Sequence, residues 1–153
     1  MQVEIVDFPE TLVAALEHRG PEHLTYDTTR KFVAWRQANG LLPGTGSTYG
    51  VHYTDPATTP GDEYRLDLCV SVSEPVLPNP QGVVTKTIPA GRCARVRHLG
   101  SRHDVLPAEW LYRQWLPRSG EQLRDYPMFF HYVNVGPEVK EQEMITDVYM
   151  PLK

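Results

Sequence analysis

Much of the skeleton of this chain occurs twice. Laying residues 1–73 over 81–153 without gaps pairs Val3, Pro9, Ala14, His18, Gly20, His23, Trp35, Gly40, Glu63 and Asp67 with identical residues 80 positions on (98 − 18 = 80, for instance). Average residue usage gives roughly four such identities, and the matches favour Trp, His, Gly and Pro, which are scarce or conformationally special. A one-residue slip in the loop before His52 also pairs His52 with His131 (131 − 52 = 79), and loops are where insertions are tolerated. The spacing predicts a pseudo-twofold domain over 1–153 in which neither half buries a core alone. The first repeat is 1–73, the linker 74–81 and the second repeat 82–153.

Hydrophobic periodicity fills in the elements. Gln2–Asp7 alternates as a strand and Thr11–Arg19 reads as a second, with Leu12, Ala14, Leu16 and His18 on one face and Phe8-Pro9-Glu10 as the turn of a hairpin. Thr25–Asn39 reads as a helix stopped at Asn39-Gly40. Thr48–Thr54 and Glu63–Val72 are strands joined through 55–62. The linker, E-P-V-L-P-N-P-Q, is stiffened by three prolines. The second half follows the same order. Val83–Ile88 and Arg92–Leu99 read as a hairpin, Val105–Pro117 as a helix ended by Pro117, and Met128–Asn134 and Glu143–Leu152 as strands. The predicted class is α+β: a duplicated β-β-α-β-β unit forming an antiparallel sheet with two helices packed on one face.

Composition narrows the function classes. A net charge of 15 − 19 = −4 argues against a nucleic-acid surface. The densest basic run, Arg92, Arg95, Arg97 and Arg102, alternates with apolar residues as a solvated strand face does. Cys69 and Cys93 make no disulfide framework and no C-x-x-C motif, so reduced thiols in a cytoplasmic protein are expected. No apolar run nears the roughly 20 residues of a membrane span. The histidines lack H-x-x-x-H spacing, and no G-x-S-x-G elbow or phosphate-cradling loop is present, so neither a metal nor a cofactor is expected.

What remains is aromatic and acidic. Tyr49, Tyr53, Trp110, Tyr112, Trp115, Phe129, Phe130, Tyr132 and Tyr149 exceed what a core of this size needs. Asp67 and Asp147 fall at matching strand positions. An acid beside aromatic walls suits a cationic or electron-poor ring ligand. The expected ligand-binding residues are Tyr53, Asp67, His98, Trp110, Tyr112, Phe130, Tyr132 and Tyr149.

Four ordered segments carry a resemblance: I-P-A-G-R-C-A-R-V-R-H-L-G, A-E-W-L-Y-R-Q-W-L-P-R-S-G, Y-P-M-F-F-H-Y-V-N and I-T-D-V-Y-M-P-L. G-V-H-Y-T-D-P and Y-R-L-D-L-C-V-S-V in the first half look like the other repeat of the same family. Together they resemble the GyrI-like small-molecule-binding domain, also called the AraC effector-binding domain, with its SbmC-like stand-alone members. The resemblance implies the duplicated β-β-α-β-β fold and a lipophilic, aromatic, often cationic ligand. Members often carry a preceding helix-turn-helix; none precedes this domain in the sequence, so a stand-alone binding module that sequesters or senses a small molecule is expected. Two alternatives come with the family. One is a hydrolase opening cyclopropane-type rings of toxic natural products, with Glu143 or Asp147 as the acid or base. The other is a gyrase-inhibitor-like module whose protein partner is DNA gyrase. Many members read F-E-x-Y where this chain reads Phe129-Phe130-His131-Tyr132, so Phe130 replaces a glutamate that would face a cation.

Overall fold

The computed structural model describes residues 1–42, 44–54, 59–102 and 106–153. Eight strands form one antiparallel sheet: β1 (Glu4–Phe8), β2 (Thr11–Arg19), β3 (Thr48–His52), β4 (Arg65–Ser71), β5 (Val84–Ile88), β6 (Gly91–Leu99), β7 (Phe129–Tyr132) and β8 (Ile145–Pro151). Their order, β1-β6-β8-β7-β3-β4-β2-β5, is unchanged when the first four strands are exchanged with the last four and the list is reversed. The two halves meet at the centre, where β3 pairs with β7 (Gly50↔Phe130, Val51↔Phe129).

The α+β architecture matches the expectation, but neither predicted hairpin at the start of a repeat forms. β1 pairs with β6 of the other half (Phe8↔Gly91), and β5 pairs with β2 (Thr11↔Ile88). The links explain why. Two-residue hairpin turns need positive φ at a central position. Pro9-Glu10 and Pro89-Ala90 hold no glycine, proline fixes φ near −65°, and no non-glycine residue among those described has positive φ. The chain therefore cannot fold straight back on itself, and each first strand crosses to the other half. Because β1 and β2 lie near opposite ends of the strand order yet only Pro9 and Glu10 separate them, the sheet must curl.

The curl makes an inner and an outer face. Side chains alternate between them, and the paired register carries each face across all eight strands. The inner face is a core of Phe8, Val13, Ala15, Tyr49, Val51, Cys69, Ile88, Cys93, Phe129 and Tyr149. Phe129 and Tyr149 stack at 5.0 Å, and Phe8 meets Phe129 edge-on at 4.8 Å.

Both helices cover the outer face, as predicted. Helix α1 (Thr25–Ala38) packs Phe32 and Trp35 on Ala14, Leu16, Val70 and Val83. Gly40 follows it in the left-handed conformation at φ 70°. The second helix runs over 106–119 in three parts: α2 (Leu106–Trp110), a π-helical turn (Leu111–Trp115) and α3 (Leu116–Ser119). Pro117 does not end it; the stop is Gly120 at φ 74°. Proline lacks an N–H and crowds the carbonyl four residues back, so the helix widens ahead of it, with Leu116 N–H donating to Leu111 O. Bonding five residues apart brings Trp110 and Trp115 towards one face, and both pack on the cluster of Val96, Leu111, Phe130, Val148 and Met150. The predicted start of this helix at Val105, and His103 of the repeat, lie outside the described residues.

Candidate functional site

Between the two helices, the outer face is floored by β3 and β7. Thr48, Gly50 and His52 alternate outward there, beside Phe130 and Tyr132. The bare backbone of Gly50 lets the Tyr132 side chain close directly onto the sheet: a Cβ on Gly50 would stand 2.8 Å from the Tyr132 hydroxyl and 3.4 Å from His52 Nε2. The His52 ring lies 4.3 Å from that of Phe130, which in turn meets Tyr132 edge-on at 6.4 Å. Trp110 and Trp115 pack against the same cluster. The Arg102 guanidinium sits 5.6 Å over the Tyr132 ring and donates to Met144 Sδ at 3.3 Å.

Two polar atoms of the sheet itself lack partners on this face, as does Arg36 Nη2 of α1, whose Nη1 donates to Thr48 Oγ1 at 3.1 Å. His52 Nε2 is shielded from solvent and receives no hydrogen bond, although the residue as a whole is only half-buried. Desolvation lowers its pKa to about 4, so the ring is neutral at pH 7. Thr146 Oγ1, buried between His98 and Tyr132 in the ladder, is also unpartnered. Buried polar atoms without partners are uncommon in folded proteins, and two on one aromatic-lined face mark it as a place where a ligand group can be recognised. Sequence reading passed over Gly50, Thr146 and Arg102. The cross-strand register brings Gly50 and Thr146 to this place, and the turn after β6 brings Arg102.

The expected site residues separate onto the two faces. Trp110, Phe130 and Tyr132 come together on the outer side. His98 is on that face too, but its Nε2 pairs with Ser101 O at 3.2 Å across the tight turn at Gly100. Its counterpart His18 ties the equivalent strand end to α1 through Thr28 Oγ1 at 2.7 Å and to Pro21 O at 3.0 Å. Tyr112 is 43% exposed and stands outside the aromatic cluster. Tyr149 belongs to the inner core. Tyr53 and Asp67 meet on the inner side, the tyrosine hydroxyl donating to Asp67 Oδ2 at 2.8 Å. Asp147, also inward, is gripped by Arg97 in a two-point pair at 2.8 and 3.0 Å. Glu143 is exposed at the end of the 3₁₀ turn Glu141–Glu143. Among the described residues no group of three or more His, Cys, Asp and Glu could hold a metal ion, and no helix is long and apolar enough to cross a membrane.

A model of the GyrI-like small molecule binding domain matches residues 1–153. The chain belongs to the GyrI-like family. It is 46% identical to the probable transcriptional regulator YgiV of Escherichia coli (strain K12) over 155 residues, covering 99% of this chain and 96% of that one. Among solved structures, the C-terminal domain of EcmrR superposes with a TM-score of 0.78 at 18% identity, covering 99% of this chain and 97% of that domain. SAV2435 bound to tetraphenylphosphonium gives 0.67 at 12% identity, covering 100% and 94%. These two likenesses establish the fold. In this GyrI-like domain the ring of Phe130 lies tilted at 41° against that of His52.

Proposed function

We propose that this GyrI-like domain binds a hydrophobic, ring-bearing small molecule in the outer groove between its helices, and so sequesters or senses it. The observation that carries the reading is the bare backbone of Gly50, covered only by the Tyr132 side chain and flanked by the unpartnered His52 Nε2. A Tyr ring pivots about two side-chain bonds, so this cover can swing aside for a ligand ring to stack on Phe130 between Trp110 and Tyr132. The π faces attract a cation without a fixed counter-charge. The neutral His52 accepts or donates one hydrogen bond. Arg102 already occupies the cation position over Tyr132, so a cationic ligand must displace it, while a neutral aromatic need not. The ligand of SAV2435 is an aromatic cation, which makes tetraphenylphosphonium a natural probe. Turnover is not part of this reading, because Asp67 and Asp147 face the other side of the sheet and Glu143 is exposed.

The test is a titration with tetraphenylphosphonium and with a rhodamine, read by tryptophan emission. Saturable change is expected for at least one, and Phe130→Ala should weaken it about tenfold, as loss of a stacking partner worth about 1.4 kcal/mol would. A folded protein that responds to neither compound refutes the proposal.

A further inference from the structure

The inner face holds a second place where the two halves differ. Under the shift of 80, Cys69 stands where Tyr149 stands (149 − 69 = 80), Ala15 where Arg95 does, and Glu17 where Arg97 does. In the second half the Tyr149 ring fills the space against Phe129 at 5.0 Å, and Arg97 closes on both oxygens of Asp147. In the first half a small thiol replaces the ring, and an acid replaces the arginine. The result is a cavity of ≈ 240 Å³ bounded by Val13, Val51, Tyr53, Asp67, Lys86 and Tyr126, among others.

Asp67 is 1% exposed and lines this cavity. Its Oδ2 accepts from Tyr53 at 2.8 Å and from Lys86 Nζ at 2.7 Å, but its Oδ1 has no donor. Glu17, directly across the ladder from Asp67, has only acceptors to offer. It takes donors itself, from Arg19 at 2.9 Å and Arg65 at 3.2 Å, with Lys86 3.8 Å away. The local charges are thus matched within the protein, and a second cation is not called for. What Oδ1 lacks is a neutral donor. The remaining walls are Val13, Val51, Cys69, Ile88 and the Tyr126 ring, with Thr87 as a further polar residue. A cavity of roughly 150 Å³ already admits benzene, so ≈ 240 Å³ is room enough for a bicyclic ring that keeps its polar edge towards Asp67.

We infer that the Asp67 cavity is a second small-molecule site, separate from the outer groove, that takes a compact neutral aromatic compound presenting one N–H or O–H donor to Asp67 Oδ1. The sheet lies between the two places, so this inference stands whether or not the outer groove binds its own ligand. A site built around an unpaired buried acceptor also discriminates: an analogue of the same shape without the donor leaves Oδ1 unsatisfied and is rejected.

The experiment uses indole as the probe and benzofuran, which replaces the N–H by oxygen, as the control, with backbone amide shifts of the full chain followed by NMR. Indole should move the amides of Val13, Val51, Cys69 and Ile88 saturably, and benzofuran should bind at least about tenfold more weakly. Saturating tetraphenylphosphonium, too bulky for the cavity, should leave indole bound. Asp67→Asn should abolish the preference for indole. If that variant fails to fold, Cys69→Leu, which fills the cavity from the neighbouring inward position of the same strand, should abolish binding. The inference is overturned if indole moves only residues of the outer face, if benzofuran binds as well as indole, or if no cavity amide shifts at millimolar indole.

Discussion

Lowering the pH from 7.5 to 5.0 should destabilise this protein, in large part through the side chain of His52. Its ring is packed on Phe130 with Nε2 shielded and unpartnered, and desolvation holds its pKa near 4 in the fold. In the unfolded chain it titrates near 6.5. Above about 6.5 both states are neutral and the group contributes nothing to the pH dependence. Below that the unfolded state takes up a proton that the folded state refuses, so stability falls by about 1.4 kcal/mol per pH unit until the folded ring titrates near 4. At pH 5.0 the loss is about 2 kcal/mol, a large share of the ~5–15 kcal/mol of an ordinary domain. His131, whose pKa is also lowered by burial, adds to the same window, so the measurement must isolate His52. Urea unfolding of wild type and His52→Gln at pH 7.5 and 5.0 does so. The glutamine cannot protonate, and the variant should lose about 2 kcal/mol less than wild type over that interval. A difference below about 0.5 kcal/mol would show that the folded state protonates His52 readily. The account of a shielded, neutral imidazole at the groove floor would then fall.

Three further outcomes can be measured. Gly50→Ala places a methyl 2.8 Å from the Tyr132 hydroxyl, the far end of a movable side chain. It should change Tm little while altering tetraphenylphosphonium affinity about tenfold or more; unchanged affinity would separate Tyr132 from the ligand. Arg97→Ala leaves buried Asp147 without its two-point partner, and should cost about 2 kcal/mol in urea unfolding at pH 7. Gly91→Ala forces a methyl to within 2.7 Å of the Arg124 guanidinium at φ 155°. Arg124 donates to Leu152 O and Arg92 O there, so a loss of about 1–3 kcal/mol is expected from strain and broken contacts, read as a drop in Tm.

The elements were legible because their signals are local. Thr11–Arg19 is an apolar run bounded by Pro9-Glu10 and Gly20-Pro21, and the strand has those bounds. The helix over Thr25–Ala38 ends where Asn39-Gly40 says it should. Pro117 misled, because its effect on the helix is to widen the preceding turn while Gly120 provides the stop. Of the candidate site, the aromatic excess was visible, and Trp110, Phe130 and Tyr132 do gather. Tyr53, Asp67 and Tyr149 could not be sorted from them by composition. Whether two strand residues share a face is decided by odd or even position and by the register of strands far apart in sequence.

The sequence by itself determined the class, the order of elements and the family, because periodicity, turn chemistry and motif order are written along the chain. Only the tertiary structure decided which strands pair. Pro9 and Pro89 forbid the tight turn that nearest-neighbour pairing needs, and the alternative partner lies some 80 residues away, as Phe8 opposite Gly91 shows. That exchange curls the sheet and divides one list of aromatic and acidic residues between two faces. It places the unpartnered His52 Nε2 outside and the unpartnered Asp67 Oδ1 inside.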